Sequence, residues 1–394
     1  MRAMSRNLVI LATIILSIVL TVSPLFAGAG QEEATAKEPI KVGAILAVTG
    51  GASWLGAPEA KTLEMLVETT NAAGGIDGHQ VELIIKDSQA SAEKAISFTK
   101  QLIEEEQVLA IIGPSTSGES MAIKDICQEG QTILLSCAAA ETIVNPVAPY
   151  VFKTPQKDSY AAIWIFKTMQ KMGISKIGVV VGNTGFGQGG KAQLEKYAPE
   201  HGIEIAIAEV YDRAATDLTG VLTKVKARGV QAVVNWSIVP AQSIVAKNMR
   251  QLGMDVPLFQ SHGFGNIKYV EAAGEAAEGI IFPCGRLLVA DVLPANHPQK
   301  ALLVEYKSEY ESRYGEDVST FGGHAYDAFI ILEAAIEKAG SVEMAEVRNA
   351  IESLQGVVGT AGIFNISPSD HNGLGLDSFE MLTVKDGKFV VLEQ

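Results

Sequence analysis

Beyond Pro39 the chain switches repeatedly between two hydrophobic periods. Short runs rich in valine, isoleucine and leucine stand at residues 41–47, 81–86, 109–113 and 132–136, with stretches of helical spacing between them. Ala60, Leu63, Val67, Thr70 and Ala73 share one helical face, which Gly74-Gly75 ends, and Ala95, Phe98 and Leu102 share another. Strands alternating with helices predict an α/β fold with parallel sheets, because a parallel pair needs a crossover of helical length. The alternation breaks at 145–156, where Pro146, Pro149 and Pro155 crowd together, and this break is the expected crossing between two domains. Strands are expected again at 176–182, 204–211, 231–236, 257–260 and 279–283. From Asn296 the spacing is mostly helical through Leu354. Runs at 379–384 and 388–392, joined by Asp386-Gly387, then predict a hairpin that adds edge strands to an existing sheet.

The first residues follow another rule. Arg2 and Arg6 precede an apolar run from Leu8 to Val22, and Pro24 and the small residues Ala27-Gly28-Ala29 follow it. This is the layout of a secretory signal peptide over residues 1–29. A membrane anchor is the alternative, but the run is shorter than the about 20 residues that spanning needs. No cysteine near the cleavage region is placed to accept a lipid. Residues 30–38 read as a short flexible tail.

Composition narrows the function. The 394 residues, 47% hydrophobic and 19% charged, suit an ordered chain of two or three domains. Acidic residues exceed basic ones, 45 to 31, for a net charge of −14 without charged blocks, which repels phosphate backbones and removes nucleic acid from the expected partners. Cys127, Cys137 and Cys284 form no C-x-x-C pair and the histidines share no ligand spacing, so no metal site and no cofactor are expected.

Ligands of open parallel sheets bind beyond the carboxyl ends of the strands, so the residues there are the candidates. In the first series they include Trp54, Leu55, Ser115, Thr116, Ser117, Ala138 and Ala139; in the second, Phe186, Ile238 and His262. Ser115-Thr116-Ser117 directly precedes an expected helix, where hydroxyls and free amides suit a carboxylate or phosphate. Ser117 or Thr116 could equally be the helix cap and nothing more. Gly185-Phe186-Gly187-Gln188-Gly189-Gly190 fits G-x-G-x-x-G with Glu209 beyond it, yet glycines for a tight turn explain it as well, and Phe186 is bulky for a dinucleotide turn. A lone loop histidine such as His262 is ordinarily surface. A hydrolase reading would pair Ser115 or Ser117 with His262, but no G-x-S-x-G elbow is present and the partners would sit on opposite domains. His371 lies in a loop with Asp370, where an Asx turn is the simpler account.

In order and spacing, several motifs resemble the leucine/isoleucine/valine-binding group of periplasmic solute-binding proteins. They are Val42-Gly43-Ala44-Ile45, Asn71-Ala72-Ala73-Gly74-Gly75-Ile76, Ile112-Gly113-Pro114-Ser115, Gly185-Phe186-Gly187-Gln188-Gly189, Gly263-Phe264-Gly265-Asn266 and Ala325-Tyr326-Asp327-Ala328. The resemblance implies two flavodoxin-like lobes, 39–154 with 286–376 and 155–285 with 377–394, joined by a three-stranded hinge that closes over the ligand. It implies a monomer in the periplasm, not an enzyme, which hands a small carboxylate or amino-acid ligand to a membrane permease of an ATP-driven transporter or, alternatively, to a receptor. Carried over by position, Ser117, the amide region around Ser115 and backbone groups of Ala138 and Ala139 bind the ligand carboxylate. Trp54, Leu55, Phe186, Ile238 and Phe321 line the apolar part. Two positions depart from the amino-acid binders, which typically carry an acid at His262 and a threonine near Ala140. The expected ligand is therefore an aromatic or branched organic acid without an obligatory α-ammonium, with a neutral amino acid as the alternative.

Overall fold

The computed structural model describes residues 37–393; the expected signal peptide and most of the tail lie outside them. β1 (Ile40–Leu46), β2 (Val81–Asp87), β3 (Ala110–Ile112), β4 (Ile133–Ser136) and β5 (Val151–Lys153) form a parallel sheet in the order 2-1-3-4-5. β6 (Lys176–Gly182), β7 (Glu204–Tyr211), β8 (Ala232–Trp236), β9 (Leu258–Gln260) and β10 (Ile281–Cys284) repeat that order in a second sheet. β11 (Gln355–Val358) and β12 (Ile363–Asn365) make a separate hairpin. β13 (Glu380–Lys385) joins β10 antiparallel and β14 (Lys388–Val391) joins β13, so the terminal hairpin extends the second sheet to seven strands. Its turn, Asp386-Gly387, has positive φ at both residues, 52° and 71°, which matches the twist of the strands it joins.

Period-two patterning sets what each face buries. Val42, Ala44 and Leu46 of β1 pack with Ile133 and Leu135 on one face of the first sheet, while Ile45, Ile111 and Leu134 point to the other. The first face is covered by α1 (Ser53–Ala72), α10 (Thr320–Ala339) and α11 (Met344–Ile351) through Leu63, Phe329, Leu332 and Val347. α2 (Ala92–Glu104) and α3 (Ser117–Glu129) cover the second through Leu102 and Ile123. Helices pack likewise on the second sheet, α4 (Asp158–Lys171) through Ile165 and Phe166 and α5 (Gly185–Tyr197) through Leu194. α6 (Thr219–Lys226), α7 (Ala241–Gln251) and α8 (Ile267–Ala273) complete that unit, and Leu303, Tyr306 and Tyr310 of α9 (Lys300–Tyr314) form a satellite cluster.

The chain passes between the two sheet units after β5, after β10 and before β13. One expectation needs correction. The proline-rich stretch contains β5, whose Val151 and Phe152 are fully buried; three residues between prolines are too few to show a period. The helical spacing from Asn296 through Leu354 corresponds to α9, α10 and α11, and the β11–β12 hairpin follows it, its turn tied by Asp327 accepting from Ala361 N at 2.9 Å and Thr360 Oγ1 at 3.0 Å. No helix among the described residues is long and apolar enough to cross a membrane.

Candidate functional site

The carboxyl ends of the two sheets converge on one cavity. Ser115, Ser117, Ala138, Ala139, Leu55 and Phe321 line it from the first unit, and Phe186, Ile238 and His262 from the second. About 310 Å³ there is free of atoms, of which only about 20 Å³ can hold the centre of a water molecule. Ser117, Phe186 and Ile238 also border a wider outer cleft in which about 690 Å³ can hold the centre of a water molecule. Of the strand-end candidates, Trp54 and Thr116 do not line it: Thr116 borders the outer cleft, and the Trp54 ring meets Tyr269 edge-on at 5.1 Å. Trp54 ties the units together through its backbone. Pro58 in α1 lacks the N–H that would bond the Trp54 carbonyl, and Asn266 Nδ2 of the second unit donates to that carbonyl instead, at 2.8 Å.

The carboxylate end is built on helix starts. Thr116 is the cap of α3, its Oγ1 accepting from Glu119 N, which leaves Ser117 in the first turn facing the cavity. Ser117 Oγ accepts from Ala140 N at 3.2 Å, so its own hydrogen remains available to a ligand. The start of α5 meets the start of α3 head-on: a Cβ on Gly185 would lie 2.9 Å from Gly118 N. Two positive helix ends brought together favour an anion between them. The glycines after β6 therefore serve packing, since a Cβ on Gly190 would also fall 2.1 Å from Trp236 Nε1. One backbone group assigned to the carboxylate is committed within the protein, and the Ser115 side chain is partly engaged there. Ala138 N donates to Ser136 Oγ at 3.1 Å, and Ser115 Oγ accepts from Ala47 N at 3.0 Å while bonded to Glu59 Oε2.

The far end is aromatic and imidazole. His262 is buried, edge-on to Phe186 at 5.2 Å, to Trp236 at 5.6 Å and to Phe379 at 5.6 Å. Neither ring nitrogen makes a hydrogen bond, and Asp158 Oδ1 stands 3.5 Å from Nε2. Burial pushes the His262 pKa well below the usual value, and Lys153 and His324 push it the same way, so the ring is neutral at pH 7. His324, on α10, also lines the cavity with Nδ1 unpartnered, and burial lowers its pKa to about 3.

Behind these residues lie groups that sequence reasoning did not single out. Lys153, the last residue of β5, spends all three ammonium hydrogens on Ala139 O at 2.9 Å, Pro155 O at 2.8 Å and Gln156 O at 3.1 Å. Burial lowers its pKa to about 8, with Asp158 the largest opposing charge. Asp158, first residue of α4, makes no hydrogen bond to another side chain; burial raises its pKa, while Lys153 and the Glu141 backbone lower it. Glu59 on α1 is fully buried, with Oε1 unpartnered, and burial raises its pKa well above the carboxylate range. A lysine and an aspartate flanking a proline-rich crossing were the available signal for the first pair. His371 is structural, stacked on Phe152 at 4.2 Å with Nδ1 on Val151 O at 2.8 Å, and Asp370 Oδ1 accepts from Asn372 N and Gly373 N as an Asx turn does. All three cysteines are buried free thiols. Among the described residues no group of three or more His, Cys, Asp or Glu side chains could hold a metal.

Comparison with known proteins agrees with this architecture. The leucine-, isoleucine-, valine-, threonine- and alanine-binding protein of Pseudomonas aeruginosa is 26% identical over 320 residues, 81% of this chain and 83% of that protein. An extracellular ligand-binding receptor from Rhodopseudomonas palustris HaA2 superposes with a TM-score of 0.85 at 28% identity, covering 90% of this chain and all of that one. The branched-chain amino acid transporter substrate binding protein LivJ from Streptococcus pneumoniae, solved with isoleucine, superposes with a TM-score of 0.79 at 25% identity, covering 89% and 97%. These relatives are solute-binding proteins rather than enzymes. With the family's sequence profile matching residues 39–388, nearly the whole described chain, this protein belongs to the periplasmic binding protein family.

Proposed function

We propose that the protein is the extracytoplasmic capture component of an ATP-driven uptake transporter, taking a small carboxylate that needs no α-ammonium. The observation that carries the reading is the lining of the cavity: neutral imidazoles of His262 and His324, hydroxyls and apolar groups, with no Asp, Glu, Lys or Arg among them. The ligand carboxylate sits at Ser117 between the starts of α3 and α5. His262 meets a keto, hydroxyl or second carboxyl group at the other end. An ammonium there would face a neutral ring, and neither Asp158, 3.5 Å from that ring's Nε2, nor Glu59, bonded to Ser115, is among the residues that line the cavity. Trapping both ends between two units makes closure depend on the ligand, because only differential affinity for the closed state shifts the equilibrium.

The names of the relatives from Pseudomonas and Streptococcus favour a second reading, a neutral amino acid as ligand. Calorimetric titration of the purified protein with matched pairs separates the two: leucine and its keto acid, phenylalanine and phenylpyruvate, and benzoate alone. Tight binding of the acids without response to the amino acids is expected. Preference for the amino acids sinks the assignment of His262 and leaves the capture role standing.

A further inference from the structure

A serine hydroxyl has two lone pairs and one hydrogen. At Ser115 Oγ the Ala47 N–H occupies one lone pair at 3.0 Å and Glu59 Oε2 occupies a second position, which leaves a third on a residue that lines the cavity. What Ser115 offers the ligand depends on the proton of Glu59. An ionised Glu59 accepts the serine hydrogen, and a lone pair is left to face the cavity, which repels a carboxylate. A neutral Glu59 donates to the second lone pair, and the serine hydrogen points at the ligand.

The surroundings favour the neutral acid. Glu59 is fully buried on α1, and its unpartnered Oε1 is tolerable as a carbonyl oxygen but costly as half of a carboxylate. Burial raises the Glu59 pKa, the Ser115 hydrogen bond lowers it by less, and Glu119 on α3 raises it further; Cys137 at the end of β4 is itself held neutral by burial, Glu59 and Asp327 of α10. His262, His324 and Asp158 stand around the cavity, and the side-chain hydrogen bonds of Ser115 run to Ala47 N and Glu59 instead.

We propose that Glu59 is a positioning residue whose proton is part of the binding site: neutral Glu59 turns the Ser115 hydroxyl toward the ligand, so capture of a carboxylate and retention of the Glu59 proton are one event. This rests on the carboxylate end of the reading above and not on the choice between acids and amino acids. An anion beside Glu59 raises its pKa further. The affinity is therefore constant while Glu59 is neutral in the free protein and falls as pH rises through its free-state pKa, by at most about tenfold per pH unit for one proton.

Two measurements test this. In an infrared pH titration of the ligand-free protein, a neutral carboxyl band present near neutral pH in the wild type should be missing in Glu59→Gln. Dissociation constants for benzoate, phenylpyruvate and leucine are then followed across the pH range in which the protein stays folded, for wild type, Glu59→Gln, Glu119→Gln and Ser115→Ala. The glutamine amide donates to Ser115 as the neutral acid does, so Glu59→Gln should keep its affinity where the wild type loses it. Glu119→Gln should retain the wild-type loss. Ser115→Ala should bind more weakly at low pH, on the order of tenfold, and converge on the wild type at high pH. Parallel profiles for wild type and Glu59→Gln, an unchanged band, or a pH-independent ratio of wild type to Ser115→Ala overturns the proposal, and the serine comparison decides it if Glu59→Gln does not fold. Failure of every carboxylate to bind overturns the carboxylate reading with it, whereas binding without the Glu59 signature overturns this inference alone.

Discussion

Replacing Lys153 by methionine keeps the length of the side chain and removes the charge that organises the first crossing. Three carbonyls, of Ala139, Pro155 and Gln156, lose their donor in a site where Lys153 is 1% exposed, and Asp158 loses the largest favourable charge acting on it. Hydrogen bonds to a charged group contribute about 1.5–3 kcal/mol each, but three on one ammonium are not additive. Breaking a contacting buried pair by removing one partner costs about 3–5 kcal/mol, a large share of the roughly 5–15 kcal/mol by which a domain is stable, and sets the ceiling here, where Lys153 acts on Asp158 through charge without a hydrogen bond to it. Lys153→Met should therefore lose up to about 3–5 kcal/mol in urea unfolding followed by circular dichroism, read from the midpoint at unchanged slope. Asp158→Asn in the same background should recover part of that loss, because the remaining defect is then three orphan carbonyls without a buried unpaired carboxylate. Affinity for the ligand should fall too, since Ala139 lines the cavity. A loss below about 1 kcal/mol, or a double variant no more stable than Lys153→Met, would refute the view that one lysine neutralises the aspartate and pins the crossing.

Asn266→Ser keeps the cap of α8, where Asn266 Oδ1 accepts from Lys268 N, but cannot reach the Trp54 carbonyl. It should weaken ligand binding by about 2- to 10-fold with little change in unfolding midpoint, and unchanged affinity would remove this bond from the closure. His324 has a native pKa of about 3, below its unfolded value, so the unfolded chain binds the extra proton and stability rises with pH from about 3 to about 6.5. His324→Gln should flatten the acid limb of the stability profile by up to about 1.4 kcal/mol per pH unit; an unaltered limb would assign it elsewhere. The thiols should stay unmodified by Ellman's reagent in the native protein and react together on unfolding, because all three are buried and burial pushes Cys127 up to about 12. Rapid labelling of any one would contradict its placement.

Hydrophobic periodicity by itself determined the α/β alternation, most strand positions and the terminal hairpin. A strand of the length of β1 or β6 shows which side chains alternate inward whatever packs against them, and Asp386-Gly387 carries its turn locally. The cavity was also largely legible, because ligands lie beyond the carboxyl ends of parallel strands and those positions can be counted along the chain: Ser117, Phe186, Ile238 and His262 all arrive there. What only the tertiary structure decided is which residues meet across long separations. β5 has three residues and no period of its own, and it becomes a strand because β4 offers an unpaired edge. Trp54 reads in sequence as a ligand platform, yet Pro58 diverts its carbonyl to Asn266 and its ring rests on Tyr269. Glu59, Lys153, Asp158 and His324 look like ordinary polar residues in a one-dimensional pattern. Their protonation is set by burial and by charges brought close by the fold, and neither quantity exists until the chain is packed.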